Sequence, residues 1–419
     1  MRLLIITHTF PPSRHSNAKR PYYIAKGALE AGWEVDVVTS MIGVDPGQDE
    51  SISVAGLRVF RCDDPVQRWQ RLLRGHPALI KLLAVLSNGG LWPDYCAPWA
   101  RRAFRRLPTG GYDRVLAFVY PPSTLLAGNV PGLVDQRWVF DYQESVSPQF
   151  KMQPRNSPLQ RFLTPRLARL ERRTLHQAGR VVFTADSNRR AYVAAGLVEE
   201  GLTGHVPYFY DDVVFREAGV VESGFDICYY GGFDLHGDRN PVAFLRSLAR
   251  FLEVHPEARA ETRFVFHGNW LAAHDRYVTE LGLGDIVRLK AAVPYEDYLV
   301  GVRRSPVLLL VVAAAHNLFM PSKIVDYFGA KRPILAFVPR ESEMRRVLEA
   351  AGMASCACDE RDVAGGAEAL GRLWADYRSG RLDVRGDNTS QWSSEVQIHR
   401  YLAILEAAGD RQSPMTGAS

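Results

Sequence analysis

Two stretches of the chain gather the residue types that hold phosphate. In the first, Tyr230-Gly231-Gly232-Phe233 follows an apolar run and leads, past Arg239, to a helix opening at Pro241. Glycine lets backbone N–H groups approach a ligand and take up positive φ, and a helix N-terminus favours anions. Arg239, just before that helix, can pair with a phosphate through two nitrogens. A plain tight turn beside a surface arginine would read the same way. In the second stretch, residues 316–330, His316 and Asn317 precede Pro321-Ser322-Lys323, which reads as a helix start just after an apolar strand. Hydroxyl, amine and free backbone N–H groups would converge there on an anion. Asp326 lies three residues on, on the same helical face as Lys323. Its carboxylate could accept hydrogen bonds from ribose hydroxyls or simply pair with Lys323.

Both stretches must be positioned by strands, and the chain offers them in order. Short apolar runs at 2–7, 34–39, 57–60, 114–119, 138–141 and 180–184 read as strands buried on both faces, with a helix near 18–31 that Gly32 stops. Two further helical stretches, near 66–87 and 159–177, are rich in arginine. Periodicity fades at 215–223, which reads as a linker. It restarts with strands at 226–230, 263–267, 287–290, 307–313 and 333–337. This is the pattern of α/β units building parallel sheets covered by helices. At 419 residues the chain exceeds what one core usually organises. The expected fold class is α/β with two Rossmann-like parallel-sheet domains, spanning 1–215 and 222–390, and a tail helix at 391–412 packing back on the first. Ligands bind outside the carboxyl ends of such strands, so two facing domains would enclose a cleft.

Composition narrows the class further. Hydrophobic residues at 47% and charged residues at 23% exclude wholesale disorder, and no apolar run approaches the ~20 residues needed to span a bilayer. The start of the chain has no signal-peptide pattern, so a cytoplasmic location is expected. Five cysteines without paired CxxC spacing, Cys356-Ala-Cys358 being the one close pair, read as apolar fillers in a reducing compartment; no metal is expected. The net charge of +5 hides a basic block: between Arg68 and Arg190, 20 basic residues face 7 acidic ones. Such a region attracts phosphorylated substrates, anionic lipid or nucleic acid. Amphipathic basic helices would allow peripheral contact with the inner face of an anionic membrane, although core packing beneath solvated arginines accounts for them equally. No recognition motif accompanies the charge, and nucleic acid is not expected as a partner.

Taken in order, these motifs resemble the retaining GT-B glycosyltransferases of the family four group. Ile5-Ile6-Thr7-His8-Thr9-Phe10-Pro11-Pro12 resembles the family's first strand and loop, and Gly32-Trp33-Glu34-Val35-Asp36-Val37-Val38-Thr39 its GHEVTVVT-like second strand. His205-Val206-Pro207-Tyr208-Phe209-Tyr210-Asp211 stands in the place of a V-I-P-N-G-V-D segment. Pro321-Ser322-Lys323-Ile324-Val325-Asp326-Tyr327 with Pro333-Ile334-Leu335-Ala336 resembles P-x-K-x-x-E-Y…P-I-L-A. The likeness spans nearly the whole chain.

The resemblance implies transfer of a sugar from a nucleoside-diphosphate sugar to an acceptor hydroxyl, with retention and without metal or other cofactor. The acceptor would be a carbohydrate, a lipid-linked or phosphorylated glycan, or a small metabolite. Gly231 and Gly232 would cradle the donor diphosphate, and Arg239, Ser322 and Lys323 would neutralise it. Asp326 would hold the ribose; Ala292 and Val293 would bracket the base through their backbone. His267 and Gly268 would line the site, and His316 and Asn317 would meet sugar hydroxyls. In the first domain His15, Asp141 and Glu144 are the expected catalytic residues, with Asn17 and Tyr120 on the acceptor. The chain departs from the pattern at Leu318, where the first glutamate of the E-x7-E motif is expected, and at Asp326, where the second has become aspartate. The loop at Ser13-Arg14-His15-Ser16-Asn17 also lacks the usual Gly-Gly pair. A binding protein with this fold but no turnover, or a sugar-nucleotide epimerase, are the alternatives.

Overall fold

The computed structural model describes residues 1–41, 56–64, 92–146, 158–233, 239–314, 317–354, 357–382 and 388–408, apart from 14, 95, 109–110, 218, 220 and 222, together with 66, 72–73, 76 and 79. The basic stretch expected as a helix at 66–87 falls largely outside these residues, as do His316 and Cys356.

The chain divides into two compact units, Met1–Pro207 with Ile398–Ser419, and Tyr208–Gln397. The change of unit thus comes at 207, not at 215, and the return crosses at 398, inside the tail helix. In the first unit the elements run β1 Arg2–Ile6, α1 Lys19–Glu30, β2 Glu34–Ser40, β3 Leu57–Cys62, α2 Ala97–Arg105, β4 Arg114–Phe118, β5 Trp138–Tyr142, α3 Pro158–Gln177, β6 Arg180–Phe183, α4 Asp186–Ala194 and β7 Thr203–His205. They form a seven-stranded sheet in the order β3-β2-β1-β4-β5-β6-β7, with every pair parallel. The apolar runs behave as continuous hydrophobic strands must in a doubly covered sheet. Leu4 and Ile6 face a core with Trp99, Trp138, Phe140 and Tyr142, while Leu3 and Ile5 face Ile24, Ala28, Tyr401 and Leu405.

The second unit contains β8 Phe225–Gly232, α5 Val242–Val254, β9 Thr262–Asn269, α6 Asp275–Glu280, β10 Val287–Lys290, α7 Tyr295–Arg304, β11 Val307–Val311, α8 Lys323–Ala330, β12 Ile334–Phe337, α9 Glu343–Ala350, β13 Ala357–Cys358 and α10 Val363–Arg378. Its six strands are also parallel, in the order β10-β9-β8-β11-β12-β13. Two of its helices start on side-chain caps: Ser342 accepts from the Arg345 N–H and Asp362 from the Gly365 N–H.

Helix α11, Ser394–Ala407, carries the chain back into the first unit. Its approach to α1 depends on Gly27, because a Cβ there would run into Ile398. Among the described residues no helix is long and apolar enough to cross a membrane.

Candidate active site

Each unit collects its expected functional residues along the carboxyl edge of its own sheet, where loops leave the strands. In the second unit β8 and β9 stay in register to their ends, pairing Gly231 with Gly268 and Gly232 with Asn269. Gly231 has φ 136° and Gly268 φ 148°, backbone conformations that favour glycine. A Cβ on Gly268 would strike the Gly231 carbonyl, and one on Gly231 would lie 3.1 Å from the Lys323 Nζ. Gly231→Ala is therefore expected to cost about 1–3 kcal/mol of stability through backbone strain. It should also weaken anion binding, and calorimetry on the folded variant would read both.

Lys323 opens α8 and turns its ammonium back onto β8. Nζ donates to the Tyr230 carbonyl at 2.8 Å and lies 4.2 Å from the centre of the Tyr229 ring. Burial, then the nearby Arg239 guanidinium, push its pKa down to about 7. A buried ammonium with a guanidinium near it, beside a glycine turn, makes a site whose electrostatics an anion would relieve. Arg239 itself is exposed, as is Ser322, which stands at the helix start without making a capping hydrogen bond.

Asp326 does not pair with Lys323; its Oδ2 accepts the Tyr298 hydroxyl at 3.0 Å. Burial, then Asp326, hold that phenol well above its usual range. Tyr230 stacks on His267 at 4.7 Å and meets Tyr298 edge-on at 5.4 Å. Sequence reading missed Tyr298, which lies 28 residues from its partner; its i, i+3 pairing with Tyr295 on α7, where the rings stack at 5.6 Å, was the available signal. Tyr298→Phe removes this hydrogen bond from the Asp326 carboxylate, and a several-fold weaker nucleotide affinity by calorimetry is the expected outcome. Ala292 and Val293 are exposed just after β10, and Asn317 is tied by its carbonyl to the Glu343 N–H at 2.7 Å.

In the first unit, four of the five expected residues come together. The His15 ring stacks against Tyr120 at 6.4 Å, and the Asn17 backbone N–H donates to His15 Nδ1 at 3.3 Å. That bond places the imidazole proton on Nε2, where it can be donated. Burial, then the charge of His8, lower the His15 pKa, while burial and then Glu144 raise that of the Tyr120 phenol. Glu144 is exposed at the same edge, following β5.

Asp141 corrects the expectation of a catalytic role. Its side chain is wholly buried within β5, bonded by Arg20 through Nε at 3.0 Å and Nη2 at 2.9 Å and by the Tyr401 hydroxyl at 2.8 Å. Arg20 also donates to the carbonyls of Val206 and Pro207. A carboxylate so enclosed cannot touch a substrate. It balances a buried guanidinium instead.

Residues 18–203 match the family model described as Glycosyl transferase 4-like domain. The match falls within the first unit, and the two parallel-sheet units together have the GT-B fold. No curated protein sequence matches it. Among solved structures it is similar to sucrose-phosphate synthase from Thermosynechococcus elongatus, at 15% identity and TM-score 0.65, covering 97% of this chain and 98% of that one. It is also similar to the E. coli trehalose-6-phosphate protein bound with UDP-2-fluoro glucose, at 13% identity and TM-score 0.63, covering 97% and 99%. A UDP-forming α,α-trehalose-phosphate synthase from Burkholderia xenovorans in complex with glucose-6-phosphate gives 13%, 0.60, 97% and 99%.

Proposed function

We propose that the chain moves a sugar from a nucleoside-diphosphate sugar, with a UDP-sugar the first candidate, onto a hydroxyl of an anionic carbohydrate such as a sugar phosphate. The carrying observation is the Lys323 ammonium, seated between the Tyr230 carbonyl and the Tyr229 ring with Arg239 nearby. The bond from the anomeric carbon to the diphosphate oxygen breaks and a bond from that carbon to the acceptor oxygen forms. The acceptor proton leaves with the diphosphate, which donates the base needed. Lys323 and Arg239 stabilise the negative charge developing on the leaving group, the role a divalent metal would otherwise fill. Retention follows from attack on the face that the diphosphate leaves, and it is part of this reading. Asp326, held by Tyr298, is assigned to the ribose, and Ala292 and Val293 to the base. His15, Asn17, Tyr120 and Glu144 are assigned to the acceptor. The excess of arginine in the first unit favours an acceptor carrying phosphate, and glucose-6-phosphate is found in the Burkholderia xenovorans neighbour.

The test is a thermal-shift series with UDP, GDP, TDP, ADP and CMP, first without metal and then with magnesium. It is followed by assay of nucleoside diphosphate release from the selected donor when glucose-6-phosphate is added. A selective, metal-independent stabilisation and acceptor-dependent release are expected. Nucleotide binding with no release under any acceptor would leave a binding protein.

A further inference from the structure

A second cluster, in the first unit, has no part in that reading. The turn after β1 brings the buried His8 imidazole between Asp64, which follows β3, and Cys96, which precedes α2. His8 Nε2 lies 2.9 Å from Asp64 Oδ2, and Nδ1 lies 3.8 Å from Cys96 Sγ. One donor atom from each of the three side chains lies within 4.8 Å of the other two. Their positions in the chain show no ligand spacing, so only the fold assembles them.

We propose that His8, Cys96 and Asp64 form a site for one thiophilic divalent cation, with zinc the ion that suits the donor set. Tetrahedral bonds of about 2.0 Å to nitrogen and 2.3 Å to sulfur hold those two atoms ~3.5 Å apart, close to the separation found here. Asp64 on Nε2 fixes the tautomer that turns the Nδ1 lone pair toward the sulfur. A carboxylate behind a ligating histidine is the usual support of such a bond, and Asp64 takes that place here. Asp94 stands beside the thiol and fixes the loop that carries it, accepting from the Cys96 and Ser123 N–H groups at 2.8 and 2.6 Å. The edge of Trp99 packs on the His8 ring at 4.9 Å and keeps it in place. Cys96 is only partly buried, which leaves a path for the ion.

The competing arrangement is a hydrogen-bonded chain, Asp64 to His8 to Cys96, with no ion. Cobalt(II) separates the two. The full-length protein, stripped with chelator and titrated with cobalt, is expected to bind one equivalent and show a sulfur-to-cobalt charge-transfer band in the near ultraviolet that zinc abolishes. Cys96→Ser should lose the band, Asp64→Asn should weaken binding by about 10- to 100-fold, and Cys228→Ser should change nothing. Circular dichroism checks that each variant is folded. Should Cys96→Ser fail to fold, alkylation of the parent supplies the test: zinc should slow iodoacetamide labelling of Cys96, read by peptide mass spectrometry. A cobalt complex without the sulfur band, a band that survives in Cys96→Ser, or labelling of Cys96 that zinc does not alter would each overturn the proposal. Nucleotide affinity is expected to be the same with and without zinc, so failure here leaves the donor site untouched.

Discussion

Lys323→Ala is expected to lower nucleoside diphosphate affinity by about 30- to 150-fold, the worth of one or two hydrogen bonds to a charged group at about 2–3 kcal/mol. Arg172→Ala, on the exposed face of α3 in the other unit, should leave that affinity unchanged. Equal dissociation constants for the two variants would remove Lys323 from the site. The pH dependence adds a sharper signature. With its pKa near 7, Lys323 is fully charged only below about pH 6 in the free protein. A bound diphosphate favours the charged form and raises the pKa. Affinity should therefore be flat at low pH and fall by about tenfold per unit above pH 7, until the bound-state pKa is passed. Over that range binding takes up a proton, so the calorimetric heat should vary with the ionisation enthalpy of the buffer. Lys323→Met should abolish both effects. For folding the sign is reversed. The unfolded chain holds this proton more tightly than the folded one, so the residue's contribution to stability grows as pH rises from 7.

The second large effect lies at Arg20. Arg20→Met leaves the Asp141 carboxylate buried with the Tyr401 hydroxyl as a remaining side-chain partner, and Asp141→Asn takes from the guanidinium the buried carboxylate it is bonded to. Each is expected to destabilise the first unit by about 3–5 kcal/mol, measured by urea denaturation with a fluorescence signal from that unit. Arg20→Met combined with Asp141→Leu should cost much less than the sum, because no unpaired charge then remains. Were Asp141 a catalytic group after all, Asp141→Asn would lose activity without losing stability.

The strands were legible because a parallel sheet buried on both faces demands unbroken apolar runs, and β1, β4 and β11 supply them. Strands β7 and β13 were not, since three and two residues are too few to show any pattern. Helix α2 escaped notice because Pro98, Arg101, Arg102 and Arg105 obscure an apolar stripe of Trp99, Ala100, Ala103 and Phe104 that is evident once buried. Lys323 could be read from position alone: a lysine at a helix start just after a strand. Asp141 shares that logic, standing near the end of a strand, yet the logic misleads there. Its partners are 121 and 260 residues away along the chain, and nothing local announces them. Tyr298 with Asp326, and His8 with Asp64 and Cys96, are of the same kind. Side-chain chemistry between distant segments is decided by the register of the sheet.

The path of the chain also bears on its synthesis. The second unit, 208–397, is inserted within the first, whose last contributors, Ile404, Leu405 and the Tyr401 hydroxyl on Asp141, come from α11. A ribosome working from the N-terminus delivers every residue of the second unit before it delivers the part of α11 from Ile398 onward. Through most of translation the face of the first sheet that carries Leu3, Ile5 and Val139 therefore lacks the part of its cover that Tyr401 and Leu405 supply. The later-made unit can complete itself while the earlier one is still waiting.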